Sequence, residues 1–399
     1  MALSVELGIS KAFTLDDPVA GVLNNTDFVL GGVEFVDVTS SVRSVSLGRG
    51  KNRDLDRFNA GNLSVTFNNE NRDFDPLYSA SPFANNIVPR REVRVLAGTA
   101  VQYVGKVLDW NFSYEPNGRQ SAELQAADGF TFLAQQLLTP GTATPGFTGA
   151  RVNAVLDMET VDWPTADRDI DTGASELGAD VFDDNALSYL QKVEQSEAGL
   201  LFIDKQGRVA FRDRLASPTV GGALVFSDVA GSGIPFAPAA VEFGSEQLFN
   251  QVTVESPFAT ATANSVLSQT RYGILEREVD TLLSDESQAQ GLASFLVGRD
   301  DEPEYRFAQI AIDIDKLTTA QEADVFGLEI GDVIQVQLTP GNPPTGTAIE
   351  RYGRVISIAH AVEPDSHFVT IGVGSVQTSL FVLDDAEFGK LDGAGILAF

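Results

Sequence analysis

Few residues in this sequence are arranged to do chemistry. Asp167-Arg-Asp-Ile-Asp-Thr-Gly173 sets three carboxylates at alternate positions, the spacing with which a calcium loop supplies its first oxygen ligands. Its glycine comes one place late, and Gly178 stands where such a loop carries a bidentate glutamate, so the stretch reads as an acidic surface loop and no metal site is expected. The histidines His360 and His367 flank a turn around Pro364 and read as ordinary turn or surface side chains. Asp157 and Glu159 have the types of an acid–base pair, but among 56 acidic residues such neighbours arise by accident. There is no cysteine, and no G-x-S-x-G, H-E-x-x-H or G-x-x-x-x-G-K pattern. The expectation is a chain that is not an enzyme and takes no cofactor.

The chemistry that stands out is electrostatic. Gly48 to Gly61 crowds Arg49, Lys51, Arg53 and Arg57 among Asp54 and Asp56, with Phe58 as the apolar residue beside them. Read blandly, this is a solvated hairpin loop. Read for function, it is an intersubunit contact in which the four cations meet acidic faces of a neighbour and Phe58 anchors the junction. Exposed ion pairs contribute only about 0–1 kcal/mol each, so their use would be register and exclusion of wrong docking more than affinity.

The elements that must hold this loop follow from periodicity. Leu63, Val65 and Phe67 alternate with Ser64, Thr66 and Asn68, the pattern of a half-buried strand. Further strands are expected at Val42–Leu47, Val93–Leu96, Gln102–Leu108 and Ser121–Ala126, with a tight turn at Glu115-Pro-Asn-Gly118. Residues 39–138 therefore read as a first β domain, a small barrel or sandwich, closed by a short helix after Asp128. Residues 139–240 read as a mixed α+β domain. In it, helices are expected at Arg151–Glu159 and Asn185–Ala198, and a hairpin turns through Asp204-Lys-Gln-Gly207. Residues 241–375 read as a second β domain, with alternation at Ile310–Ile314 and Ile334–Leu338, a hairpin through Pro364-Asp365, and one helix capped at Ser284-Asp285. Trp110 and Trp163 are expected to pack in cores more than at interfaces.

Two ends flank these domains, an N-terminal arm over 1–38 and a C-terminal tail over 376–399. They share a motif. Phe13-Thr-Leu-Asp-Asp-Pro-Val-Ala-Gly-Val-Leu23 and Phe381-Val-Leu-Asp-Asp-Ala-Glu-Phe-Gly-Lys-Leu391 agree at six of eleven positions. The sharper reading is a linear peptide that docks on equivalent surfaces through Phe13, Leu15 and Leu23 at one end and Phe381, Leu383 and Leu391 at the other.

A formal charge of -29 works against nonspecific binding to nucleic acid or to an anionic membrane. The N-terminus lacks a basic, apolar leader, and no run of about 18 apolar residues spans a bilayer.

The ordered series Asp37 to Gly61, Asn68-Asn-Glu-Asn-Arg-Asp-Phe-Asp-Pro76, Pro89-Arg-Arg-Glu-Val-Arg94, Gly105-Lys-Val-Leu-Asp-Trp110, Glu194 to Arg208, Asn250-Gln-Val-Thr-Val254 and Leu328-Glu-Ile-Gly-Asp-Val333, with the Leu383-Asp-Asp tail, resembles minor tail proteins, the tail-tip hubs of long-tailed phages. The resemblance implies a mainly β chain of two tube-like β-barrels plus a mixed domain, and three copies closing a ring around the tail channel. It also implies partners in the tail tube or distal tail ring, the tape measure protein and tip or fibre proteins, and a place in the virion. Acidic side chains on the channel wall would repel passing DNA, and Asp313 and Asp315 are expected there. The alternative is a receptor- or carbohydrate-binding tip module using aromatics around Trp163 and Tyr189.

Overall fold

A computed structural model describes residues 3–10, 15–16, 18, 21–22, 33–116, 118–215, 223–237, 241–303, 305–341 and 349–376. The chain is mainly β. Its first strands are β1 (Leu3–Ser10), β2 (Val33–Asp37), β3 (Val42–Gly50), β4 (Asn59–Asn68), β5 (Glu92–Ala97), β6 (Ala100–Tyr114) and β7 (Gln120–Ala127). They pair in the order β3-β4-β7-β6-β5-β1-β2. Alternation sets the register: Leu47 faces Leu63 and Val45 faces Val65, and all four are buried. The strands at the two ends of the expected N-terminal arm are thus members of the sheet, with β1 hydrogen-bonded to both β5 and β2.

The late strands form a second half. Ile349–Glu363 and Ser366–Gly374 make the hairpin read from the sequence, and Gln309–Asp313 adds to its outer strand. Val333–Leu338 pairs with the first part of Ile349–Glu363, and Leu224–Ser227 joins that edge in parallel. The two halves are not separate. β3 runs antiparallel to Ile349–Glu363 from Gly50 opposite Ser357 to Val45 opposite Val362, which makes one twelve-stranded sheet. Among the described residues, no pairing joins β2 to Leu224–Ser227, so this sheet is an open path and its two halves share a seam.

Packing departs from the expected sequence blocks. One core lies on the large sheet and includes Phe226 and Ile234, which were assigned to the mixed domain. A second core contains the helices Thr148–Leu156 and Ala186–Glu197 and the Leu200–Ile203/Val209–Arg212 hairpin. It also takes in Val252, Val254 and Val279 of a three-stranded sheet and the helix Glu286–Asp300, which were assigned to the second β domain. The chain starts in the large sheet, leaves it for the second core, returns at Phe226 and Ile234, leaves again, and ends in the sheet. Local patterns mark each element but not the core it joins.

Candidate docking site at the junction of the two cores

The charged loop sits where both cores meet. β3 ends at Gly50, whose φ of +115° and lack of a side chain are both required: a Cβ there would lie 2.2 Å from the Ile356 carbonyl oxygen. At the other end of the loop, Gly61 donates its N–H to Asp128 Oδ2 at 2.7 Å, and Asp128 Oδ1 accepts from Phe130 N at 3.0 Å, capping the helix Gly129–Leu133. Burial pushes the Asp128 carboxyl up to about 7 despite these bonds and nearby Arg49.

Between Gly48 and Gly61, three of the five residues expected at a subunit contact turn inward. Arg49 is buried and donates Nη1 to Glu329 Oε1 at 2.7 Å and to the Ile203 carbonyl at 3.4 Å. Glu329 Oε2 accepts from Lys205 N at 2.8 Å, and Lys205 Nζ donates to the carbonyls that end the helix Thr319–Gly327, Phe326 and Leu328 at 3.1 Å each. Lys51 is buried; its ammonium lies 5.0 Å from the Phe58 ring centroid and donates to the Asp54 carbonyl. Phe58 is only 2% exposed and packs on Phe202 at 5.7 Å. Arg49 and Phe58 therefore join parts of their own chain and are not available to a neighbour, while Lys51 is held by its own loop at the wall of a cleft. The reason is that the loop is covered by the second core, which the local sequence does not announce. Arg53 and Arg57 are exposed, and Arg57 reaches Gln195 Oε1 at 2.9 Å.

Beside this loop opens a cleft of about 200 Å³. Its walls carry six cations, Lys51, Arg57, Arg214, Arg277, Arg299 and Arg354, against the carboxylates of Asp54, Asp56 and Glu194. The whole chain has 27 basic and 56 acidic residues, so the local balance is the reverse of the global one. Arg277 and Arg299 share Asp300, at 3.4 and 2.6 Å. Arg214 and Arg277 lie over the rings of Phe295 and Phe249, each at 5.7 Å. Burial lowers the pKa of Lys51, Arg277 and Arg354, and the like charge of Arg299 adds to the effect at each. Burial pushes the Glu194 carboxyl the other way, up to about 7. Sequence reading missed Arg214, Arg277, Arg299 and Arg354. They come from four distant segments, and no local spacing links them.

The remaining candidates fall elsewhere. Asp169 and Asp171 of the calcium-like loop pair with Arg212, at 2.6 and 3.5 Å, and Asp157 pairs with Arg168 at 2.8 Å. His360 and His367 are not surface residues. Both are buried, Nδ1 of the first lies 3.1 Å from Nε2 of the second, and both stack near Phe326. They meet because strand pairing of the hairpin puts the rings on one inward face. Asp315, which is exposed, accepts from His367 N at 3.1 Å, and Asp313 holds Lys316 at 2.8 Å. Asp315 also follows the end of the Gln309–Asp313 strand and sits in a 3-10 turn, not on the strand's outer face. Tyr189 is fully buried and accepts from Arg151 Nη1 at 2.7 Å. Trp163 is half-buried and donates Nε1 to the Asp167 carbonyl at 2.9 Å. Trp110 joins the first core, 6.0 Å from both Phe67 and Phe74. Of the terminal-peptide anchors, Leu15 is 77% exposed, while Phe13, Leu23, Phe381, Leu383 and Leu391 lie outside the described residues.

No protein-family model matches the chain, and no curated protein matches it in sequence. Solved structures do resemble it along nearly its whole length. The 43 kDa tail protein of prophage MuSo2 from Shewanella oneidensis aligns with a TM-score of 0.56 and 13% identity, covering 93% of this chain and 95% of that one. A tail protein from Neisseria meningitidis MC58 aligns with a TM-score of 0.57 and 10% identity over the same shares. The chain has the fold of these two tail proteins.

Proposed function

We propose that this chain is a structural protein of a phage tail, a hub subunit at the tail tip. Copies of it close a ring around the tail channel and join the tube, or its distal ring, to the tip or fibre proteins beyond. The observation that carries this reading is the extent of the shared fold, which takes in 93% of this chain and 95% of each of the two tail proteins. The open sheet agrees with it. Strand edges need cover, and β2, last in the sheet's order among the described residues, offers a surface on which a neighbouring subunit can close.

Chemistry in this role is geometric. The seam between β3 and Ile349–Glu363 holds the two sheet halves in one orientation, so one subunit presents two related surfaces to its neighbours, and three subunits present six. The acidic balance of the chain suits a passage through which DNA moves without adhering. Asp313 and Asp315 are proposed to lie near that passage. The reading of the chain as a receptor- or glycan-binding module has lost one of its aromatics, since Tyr189 is enclosed.

The test is the mass of the purified chain in solution, followed by imaging of the assembled particle. A trimer with a central bore is the expected result. A hexamer would reassign the chain to the distal ring, and a solitary molecule in the particle with no bore would overturn the reading.

A further inference from the structure

We infer that the cationic cleft seats an acidic segment of this same polypeptide, Phe381–Leu391, through the carboxylates of Asp384, Asp385 and Glu387. Three independent observations converge on that occupant.

The first is the cleft itself. Its cations are held in place by aromatic rings and by the shared Asp300, yet they outnumber the carboxylates that line the same walls. Arg354 also contributes an Nε that is buried with no hydrogen-bond partner among the described residues. Holding like charges together is unfavourable unless an anion joins them. Apolar side chains, Leu55, Phe295 and Leu296, line the walls between the charges, so the complementary ligand carries both carboxylates and hydrophobic groups.

The second is position. Ser375 is itself part of the cleft wall, and its backbone N–H donates to Asp54 Oδ2 at 2.7 Å. The strand Ser366–Gly374 therefore delivers the chain to the cleft rim. From Ser375 the main chain reaches Phe381 within roughly 20 Å when extended, so the segment can enter its own cleft or that of an adjoining copy.

The third is composition. Phe381-Val-Leu-Asp-Asp-Ala-Glu-Phe-Gly-Lys-Leu391 carries three carboxylates and one ammonium among large apolar residues. Tethering raises its effective concentration at the cleft to about the millimolar range, which favours it over free acidic ligands. The chain's overall negative field disfavours nucleic acid as the occupant.

The absence of native cysteine makes the test clean. In the full-length chain, Gln191→Cys on the cleft wall is combined with Ala386→Cys in the segment, and disulfide formation with oxidised glutathione is followed on non-reducing gels. The control pairs Ala386→Cys with Asn71→Cys, which follows the far end of β4 from the cleft loop. The cleft pair is expected to close at least about tenfold faster than the control, and to lose that advantage in 1 M salt or when Asp384→Asn and Asp385→Asn are added. A cross-linked monomer identifies the chain's own cleft and a cross-linked dimer a copy's; either supports the assignment. Equal rates for both pairs, or a cleft rate untouched by neutralising the carboxylates, would overturn it. The neutralising changes lie in the segment and not in the cleft wall, so loss of folding does not confuse the result.

Discussion

Arg49 Nη1 lies 2.7 Å from Glu329 Oε1, a contact between residues 280 positions apart. It is formed where β3, the Leu200–Ile203/Val209–Arg212 hairpin and the end of the helix Thr319–Gly327 come within reach of each other. The Arg49 side chain is 3% exposed and that of Glu329 22%, so the guanidinium has little water to fall back on.

Arg49→Ala is expected to lower unfolding free energy by about 2–4 kcal/mol, because Glu329 keeps its charge and loses its main cation. The paired change Arg49→Met with Glu329→Gln is expected to recover part of that loss. Urea denaturation of Arg49→Ala, Arg49→Met, Glu329→Gln and the double variant, each against the parent, measures both. Strictly additive losses in the double variant would show that the two side chains are not coupled.

Gly50→Ala is expected to cost roughly 2 kcal/mol or more, from positive φ together with overlap on the Ile356 carbonyl. Gly118→Ala serves as the comparison, since Gly118 also has positive φ but open space around it. A smaller loss at Gly50 than at Gly118 would contradict the close approach.

The histidine pair predicts a pH dependence of definite sign. Burial, and then the neighbouring imidazole, brings His360 down to about 3 from an ordinary 6.5, and burial brings His367 down to about 4. Between those values and 6.5 the unfolded chain binds protons that the folded chain refuses. Stability from this pair is therefore full above 6.5 and falls as pH falls, by up to about 1.4 kcal/mol per unit for each group. Asp128 and Glu194, raised to about 7, act in the opposite direction: their contribution is full below the ordinary carboxylate range and is lost as pH rises through 7. Replacing both histidines by glutamine should make stability fall less, or rise, as pH drops from 6.5 to 4, as read from urea midpoints. An unchanged pH dependence would remove the pair as its source.

Arg53→Glu with Arg57→Glu is expected to block assembly and leave unfolding within about 0.5 kcal/mol of the parent, since both side chains are exposed. Sedimentation of the variant provides the reading. Normal rings would take these two residues out of the subunit contact.

What could be read from the sequence was what neighbouring residues decide together. The turn Asp204–Gly207 is an example, with Asp204 Oδ1 accepting from Gln206 N and Arg208 N, and so is Asp285 as the cap that accepts from Gln288 N. The alternation in β4 correctly named its buried face, Leu63, Val65 and Phe67. What could not be read depends on partners brought from far along the chain. Lys and Arg bury only when a partner is supplied, and nothing near Arg49 or Lys51 indicates that Glu329 and Glu194 will stand beside them. His360 and His367 looked like turn residues because the turn is visible locally and Phe326, which covers them, is not.

The strand Ile349–Glu363 takes hydrogen bonds from three others, Val333–Leu338, Ser366–Gly374 and β3. A load applied along this strand is shared at once by every rung that borders it, in shear, and cannot open them one after another like a zipper. A protein so connected yields as a single stiff plate, and the place to look for mechanical give is at its outer strands, far from the seam.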